Sequence, residues 1–210
     1  MIKAEVNLVG TVKRGATMRE DKNKKSYLSF VMAVNVTDGN GSSKDMEIHV
    51  MYYNAKKSDL SLYVENRRIV AQGILDIHKK GEDYIFYLSA KKLSVKDVSD
   101  EDAIVGELQF RGRLKSDDIM EEKIDKNGNP YIVFSAFSAE KVGDKFVSTW
   151  VRFMRFPAKG AGVETIKPDW MRPKAHLTVT GDLQVYVYNN VFRFTCIVKG
   201  MEEYVKENNK

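Results

Sequence analysis

Two halves of the chain repeat one series of short runs in the same order, and this constrains the fold more than any other feature. The first half reads "EVNLVGTVKR", "SYLSFVMAVNV", "DMEIHVMYY", "RRIVAQGILDIH" and "EDYIFYLSAKKL"; the second reads "GELQFRGRLKS", "PYIVFSAFSAEK", "FVSTWVRFMRF", "HLTVTGDLQVYVY" and "NVFRFTCIVKGM". Each run is rich in β-branched and aromatic residues and is bounded by turn-forming residues, so each predicts a strand. Four anchors keep the same order in both halves: Gly10 matches Gly112, Tyr27 matches Tyr131, Phe30 matches Phe134, and Gly73 matches Gly181. Glycine inside a strand marks a bend, a bulge or a close approach of another backbone, and bends in the first and fourth strands let a small barrel close.

The connections complete the pattern. "TDGNGSSKD" suits a long hairpin tip and "HKKGED" a tight hairpin turn. Between the third and fourth strands, "AKKSDLSLYVENRR" is the one helix expected, with Leu60, Tyr63 and Val64 on one side. Its counterpart "PAKGAGVETIKPDWMRPKAH" has prolines and glycines that predict an irregular loop or a short helical turn. Five strands with a helical segment between the third and fourth describe an OB-fold, a Greek-key barrel. The chain is therefore expected to be all-β, with two tandem OB-fold five-stranded Greek-key barrels over residues 1–98 and 104–205, joined by the charged connector "VKDVSDEDA".

One stretch asks for a function. In "STWVRFMRF", Trp150, Arg152, Met154 and Phe156 share one strand face and Val151, Phe153 and Arg155 the other. With Val151 and Phe153 in the core, Trp150, Arg152 and Phe156 form an outward aromatic and cationic row. Alternating π faces and cations suit a single strand of nucleic acid, whose bases stack while its phosphates are neutralised. A second patch follows from the Asn189-Asn190 pair, a hairpin turn. It sets Leu183, Val185, Val187, Phe192 and Phe194 inward and Gln184, Tyr186, Tyr188 and Arg193 outward. The equivalent hairpin of the first barrel offers His78, Lys79, Lys80 and Tyr87. Lys13 and Arg14, with Arg113 and Lys115, follow the first-strand glycines as phosphate contacts. The competing readings are a core tryptophan at 150, tyrosines 186 and 188 as cross-strand or dimer partners, and simply solvated cations at the strand ends.

Composition narrows the classes. Hydrophobic residues make up 43% and charged residues 30%, which belongs to ordered globular protein. The balance of 34 basic against 29 acidic residues permits an anionic partner without requiring one. A single cysteine, Cys196, excludes an intramolecular disulfide and a zinc ribbon, and its apolar surroundings predict a buried inert thiol. No signal-like or membrane-length apolar run is seen, so a cytoplasmic protein is expected. His49, His78 and His176 lack metal-ligand spacing. "DKNGNPYIVFSA" fails as a calcium loop at Pro130 and Ala136 and reads as a hairpin tip. The acidic pairs Asp117-Asp118 and Glu121-Glu122 read as a solvated loop. Neither a phosphate-binding loop nor a nucleophile elbow is present, so no enzyme and no cofactor are expected.

In order and spacing, "NLVGTVKR", "SFVMAVN", "EIHVMYY", "RRIVAQGIL" and "YIFYL" resemble the bacterial single-stranded DNA-binding protein family, and "STWVRFMRF" is similar to its Trp-containing third strand. The resemblance covers most of residues 3–200. It implies sequence-independent binding of single-stranded DNA in replication, recombination or repair, while the stacking platform by itself accepts DNA and RNA alike. It also implies a homodimer presenting four barrels, and replication or repair proteins as further partners. The family's acidic tip with a terminal phenylalanine has no counterpart in "EEYVKENNK". In the first barrel, Ile48 is expected to match Trp150, with Val50 and Tyr52 as the following outward positions, a weaker binding face. The rival expectation is an OB-fold subunit of a replication-restart or mobile-element complex that docks mainly on protein.

Overall fold

The computed structural model describes residues 1–37 and 41–205. The strands are β1 (Ile2–Glu20), β2 (Ser26–Thr37), β3 (Ser43–Tyr52), β4 (Arg68–Lys80), β5 (Asp83–Ser94), β6 (Ala103–Leu114), β7 (Glu121–Ile124), β8 (Pro130–Val142), β9 (Lys145–Arg155), β10 (His176–Tyr188) and β11 (Val191–Glu203). The expected tip at "TDGNGSSKD" includes residues 38–40, which lie outside the described residues; Thr37 pairs with Ser43 on either side of it. Two compact units form: Lys3–Gly106 with Val185–Arg193, and Glu107–Gln184 with Met1–Ile2 and the chain from Phe194. We call them the first and second unit.

In the first unit β1 changes partners along its length. Its start pairs with β4, from Lys3 opposite Asp76 to Thr11 opposite Arg68, and its remainder pairs with β2, from Thr11 opposite Ala33 to Glu20 opposite Ser26. The change falls at Gly10, where a β-carbon would sit 2.3 Å from the carbonyl oxygen of Ala33. Only a residue without a side chain lets the strands cross so closely. β2 pairs antiparallel with β3, β3 parallel with β5, and β5 antiparallel with β4, which closes a five-stranded Greek-key barrel. Gly73 plays the matching part on β4, with a β-carbon position 2.2 Å from the Ser89 oxygen and a register shift beside it.

Alternation places Leu8, Leu28, Met32, Ile48, Leu75 and Phe86 in the core of this barrel, all fully buried. Each such side chain stabilises the fold by about 1.5–3 kcal/mol. The expected helix is a 3-10 segment, Lys57–Leu62, with no buried residue. Its six residues are too few for a stable α-helix and include Ser58 and Asp59, which compete for backbone hydrogen bonds. Tyr63, just past it, is buried and stacks on Phe30 at 5.4 Å, whereas Val64 is exposed. The connector is anchored: Asp102 accepts from the Asn35 amide at 2.6 Å and pairs with Arg68, which also donates to the Ser99 oxygen at 2.8 Å.

The second unit repeats the plan with one interruption. β6 pairs with β10 and, for two residues only, with β8; β7 then continues along β8. The strand equivalent to β1 is thus split by residues 115–120, where Asp118 has φ 41. Glu121 and Glu122, expected in a polar loop, are strand residues opposite Val133 and Ile132, because the pairing resumes at Glu121. Gly112 and Gly181 repeat the close crossings, at 2.3 Å from the Phe137 oxygen and 2.0 Å from the Ile197 oxygen. β8 pairs with β9, and β9 runs parallel to β11. The loop after β9 has only a short 3-10 turn, Val163–Ile166, as its composition predicts. Asn189 and Asn190 have φ 50 and φ 60 and form the two-residue turn from β10 to β11.

Candidate nucleic-acid interface

The stretch from Ser148 to Phe156 follows the predicted parity. Val151 and Phe153 are buried, Trp150, Arg152 and Phe156 are exposed, and Trp150 keeps 47% of its surface open. Cross-strand pairing turns these single residues into rows on the outer face of the second unit. Arg113 lies opposite Phe137, which lies opposite Trp150. The Phe137 and Trp150 rings are 4.9 Å apart and tilted by 47°. One row along, Ser135 pairs with Arg152, and Arg152 with Thr195 on β11. Beyond it, Tyr131 and Phe156 stack at 4.9 Å and 16°. A guanidinium therefore stands between two aromatic pairs.

Four members of this face escaped the sequence reading. Phe137 and Tyr131 are set by β8, whose outward parity also carries Lys141. Phe146, on the parity of Trp150, lies opposite Lys141 and is 74% exposed. The signal was present, since Phe146 precedes Trp150 by four residues and so shares its face. From Phe146 to Phe156 the row spans about 33 Å at the usual strand rise. Lys115 directly follows β6. Its charge and that of Arg152 both help hold the Glu121 carboxyl below its usual range, after the dominant hydrogen bond from Lys123. Arg113 stays exposed, with its Nε donating to the Lys174 oxygen at 3.2 Å.

The first unit differs at the equivalent place, and here an expectation fails. Ile48 and Val50 point into the core, fully buried, and Tyr52 is half-buried. The outward residues of β3 are Glu47, His49 and Met51. A slip of one residue exchanges strand faces, and both parities of "EIHVMYY" carry apolar residues, so the pattern alone did not fix the register. The glycines do. A β-carbon on Gly10 meets the oxygen of Ala33 and one on Gly112 the oxygen of Phe137; Ala33 pairs with Glu47, and Phe137 with Trp150. Trp150 therefore corresponds to Glu47, and Arg152 to His49.

That replacement changes the electrostatics. Glu47 binds Lys13 at 2.7 Å and Arg14 at 3.7 Å. The hydrogen bond from Lys13 lowers the Glu47 pKa and raises that of Lys13. The two cations proposed from sequence as phosphate contacts thus already face a carboxylate. Beside them, His49 contacts Tyr87 at 5.4 Å, and His78 meets the other side of that tyrosine at 5.9 Å. Burial, then the charge of Arg14, holds the His49 pKa below the usual imidazole range.

The remaining predicted residues gather elsewhere in the first unit. Tyr186, Tyr188 and Arg193 belong to the hairpin tip that clusters with it; Tyr188 is exposed and Tyr186 half-buried. Lys79, which lies over the Tyr84 ring at 5.9 Å, lines a cavity of about 630 Å³ together with Lys44 and Arg193. Four carboxylates, Asp45, Glu47, Glu82 and Asp83, share that cavity, so its charge is mixed. Lys80 is exposed opposite Asp83 at the β4–β5 turn. Among the described residues no His, Cys, Asp and Glu cluster could hold a metal ion, and no helix is long and apolar enough to cross a membrane. The Cys196 thiol is buried, and its pKa is pushed up to about 12 by that burial.

No protein-family model and no curated protein matches this chain. Among solved structures, the chain is similar to the single-stranded DNA binding protein from Thermus aquaticus, at 15% identity and TM-score 0.45 over 99% of this chain and 95% of that one. It is also similar to the mitochondrial single-stranded DNA binding protein Rim1 from S. cerevisiae, at 20% identity and TM-score 0.36 over 46% of this chain and 91% of that one. A third likeness is to the protein priB from Ralstonia solanacearum, at 16% identity and TM-score 0.31 over 47% of this chain and 97% of that one.

Proposed function

We propose that the protein binds single-stranded DNA, largely without regard to sequence, by stacking bases on the outer face of the second unit and neutralising phosphates with its cations. The observation that carries this reading is the row Arg113, Phe137 and Trp150 beside Arg152 and the Tyr131–Phe156 stack, all on one strand-built face. A buried tryptophan would leave half of that row meaningless; two aromatic pairs around a guanidinium, each with one exposed ring, fit bases and phosphates in alternation. Every nucleobase has a π face, so such a surface accepts RNA as well as DNA. The protein would act in the cytoplasm, in replication, recombination or repair, by holding the strand and without chemistry on it. Two copies would present four barrels, and sedimentation at micromolar concentration reads that assembly.

The test is binding of a ~35-nucleotide oligo-dT over a salt series, a length chosen because one barrel covers up to about 16 nucleotides. Tight binding with a negative slope of log affinity against log salt is expected. Absence of binding at low salt sinks the proposal. A second reading, docking on a protein partner, is favoured for the first unit by Glu47, which engages both Lys13 and Arg14 and offsets one of their two charges. Crosslinking that captures one stoichiometric protein through His49 or Tyr87 would support it.

A further inference from the structure

A groove of about 660 Å³ opens beside Phe156, between the β7–β8 hairpin tip and the loop after β9. Its volume lies within the range of small-molecule sites, and its lining has their character. Phe156, Pro130 and Pro157 supply apolar walls, while Asp125, Asn129 and Lys159 supply the polar groups. Both walls are fixed. Arg155 donates from Nη1 to the Ile166 oxygen at 2.8 Å, and Lys167 pairs with Glu122, so the loop is tied at its far end to β9 and β7. The hairpin tip is held by Asp125, whose Oδ1 accepts from the Asn127 and Asn129 amides at 2.8 Å each and whose Oδ2 accepts from Asn129 Nδ2 at 3.1 Å.

The hydrogen-bond count leaves an opening. A carboxylate offers about four lone-pair sites, and among the described residues three are occupied. The site left over, on Oδ2, belongs to an anionic acceptor beside an aromatic ring. An aromatic wall with an anionic acceptor fits a flat π-system carrying N–H donors, and Lys159 fits the phosphate attached to it. A phosphate alone fits poorly beside Asp125, and an aliphatic side chain would leave the acceptor unmatched.

We propose that this groove is a nucleobase subsite at the end of the stacking row, selecting a base with an exocyclic amino group over thymine. Cytosine N4 donates an N–H to such a carboxylate, whereas thymine presents O4, an acceptor that opposes it. The proposal rests on single-strand binding by the adjoining face, which shares Phe156 with the groove. It adds a base preference to a surface that is otherwise indifferent to sequence.

The test compares oligo-dC and oligo-dT of equal length on the full chain, using wild type, Asp125→Asn and Trp150→Ala. Homopolymers present the same base in every register, so sliding cannot blur the result. Asp125→Asn keeps one oxygen for the turn amides and replaces the other with an amide donor. It should shift the dC-to-dT affinity ratio toward dT by about five- to tenfold. An unchanged ratio, or equal weakening of both, overturns the subsite, the latter because it marks Asp125 as only a turn residue. Trp150→Ala should weaken both oligomers together. If wild type binds neither, the binding proposal itself fails; if wild type binds both and only the ratio is insensitive to Asp125, the failure belongs to the groove alone.

Discussion

Replacing Glu47 with glutamine should make the protein bind single strands more tightly and with greater salt sensitivity. Glu47 stands in the first unit where Trp150 stands in the second, and it holds Lys13 at 2.7 Å and Arg14 at 3.7 Å. Glutamine has the same shape and no charge, so both cations become available to phosphate. Each phosphate contact on a single strand contributes about 0.7 to the slope of log affinity against log salt, so two new contacts steepen it by about 1.4. Between ~50 and ~200 mM salt, a fourfold change, the variant should lose about sevenfold more affinity than wild type, having started tighter at low salt. Fluorescence anisotropy with labelled oligo-dT at four or five salt concentrations measures this directly. The fold should be unaffected, because exposed ion pairs contribute little to stability, and a thermal melt checks it. A slope unchanged by the substitution would place Lys13 and Arg14 off the path of the strand and would refute the idea that Glu47 silences this face.

Two other perturbations test the frame and its titration. Gly112→Ala would put a β-carbon 2.3 Å from the Phe137 carbonyl oxygen and should cost about 1–3 kcal/mol in denaturant unfolding. Gly15→Ala, whose β-carbon meets nothing closer than 3.8 Å, should be near neutral, and equal costs at both positions would undo the crossing explanation. His49 has a folded pKa below its unfolded value, chiefly through burial, so the unfolded chain binds the proton more readily. Its contribution to stability is complete above the ordinary imidazole range, about 6.5, and is lost as pH falls through the lower folded value. His49→Gln should therefore flatten the fall of the melting temperature just below pH 6.5, and an unaltered profile would contradict the assignment.

The sequence disclosed those parts of the fold that depend on backbone sterics. Gly10, Gly73, Gly112 and Gly181 are required where strands cross closer than a side chain allows, and Asn189-Asn190 tolerates the left-handed backbone its turn needs. The outward parity of Trp150 and Arg152 was legible once Val151 and Phe153 were assigned to the core, against the competing reading of a core tryptophan. Register in β3 was not, since Ile48, Val50 and Tyr52 are no less plausible outside than His49 and Met51 in a strand that is apolar on both parities. Glu47 consequently went unnoticed as the counterpart of Trp150. The split between β6 and β7 and the reduction of the expected helix to a 3-10 segment depend on tertiary pairing, which outweighs local preference. Phe137 and Tyr131 become visible only when β8 is set beside β9, because a row across a sheet is a property of pairing and not of one strand, whereas Phe146 could have been read from the parity of β9 alone.

The central claim, that aromatic stacking and phosphate neutralisation act together on one face of the second unit, is tested most directly by oligo-dT binding to Trp150→Ala and Arg152→Ala over the same salt series. Loss of the indole should weaken binding by about 1–3 kcal/mol at every salt concentration and leave the salt slope unchanged. Loss of the guanidinium should reduce the slope by about 0.7. Wild-type affinity and slope in both variants would contradict the account and remove this face from the path of the nucleic acid.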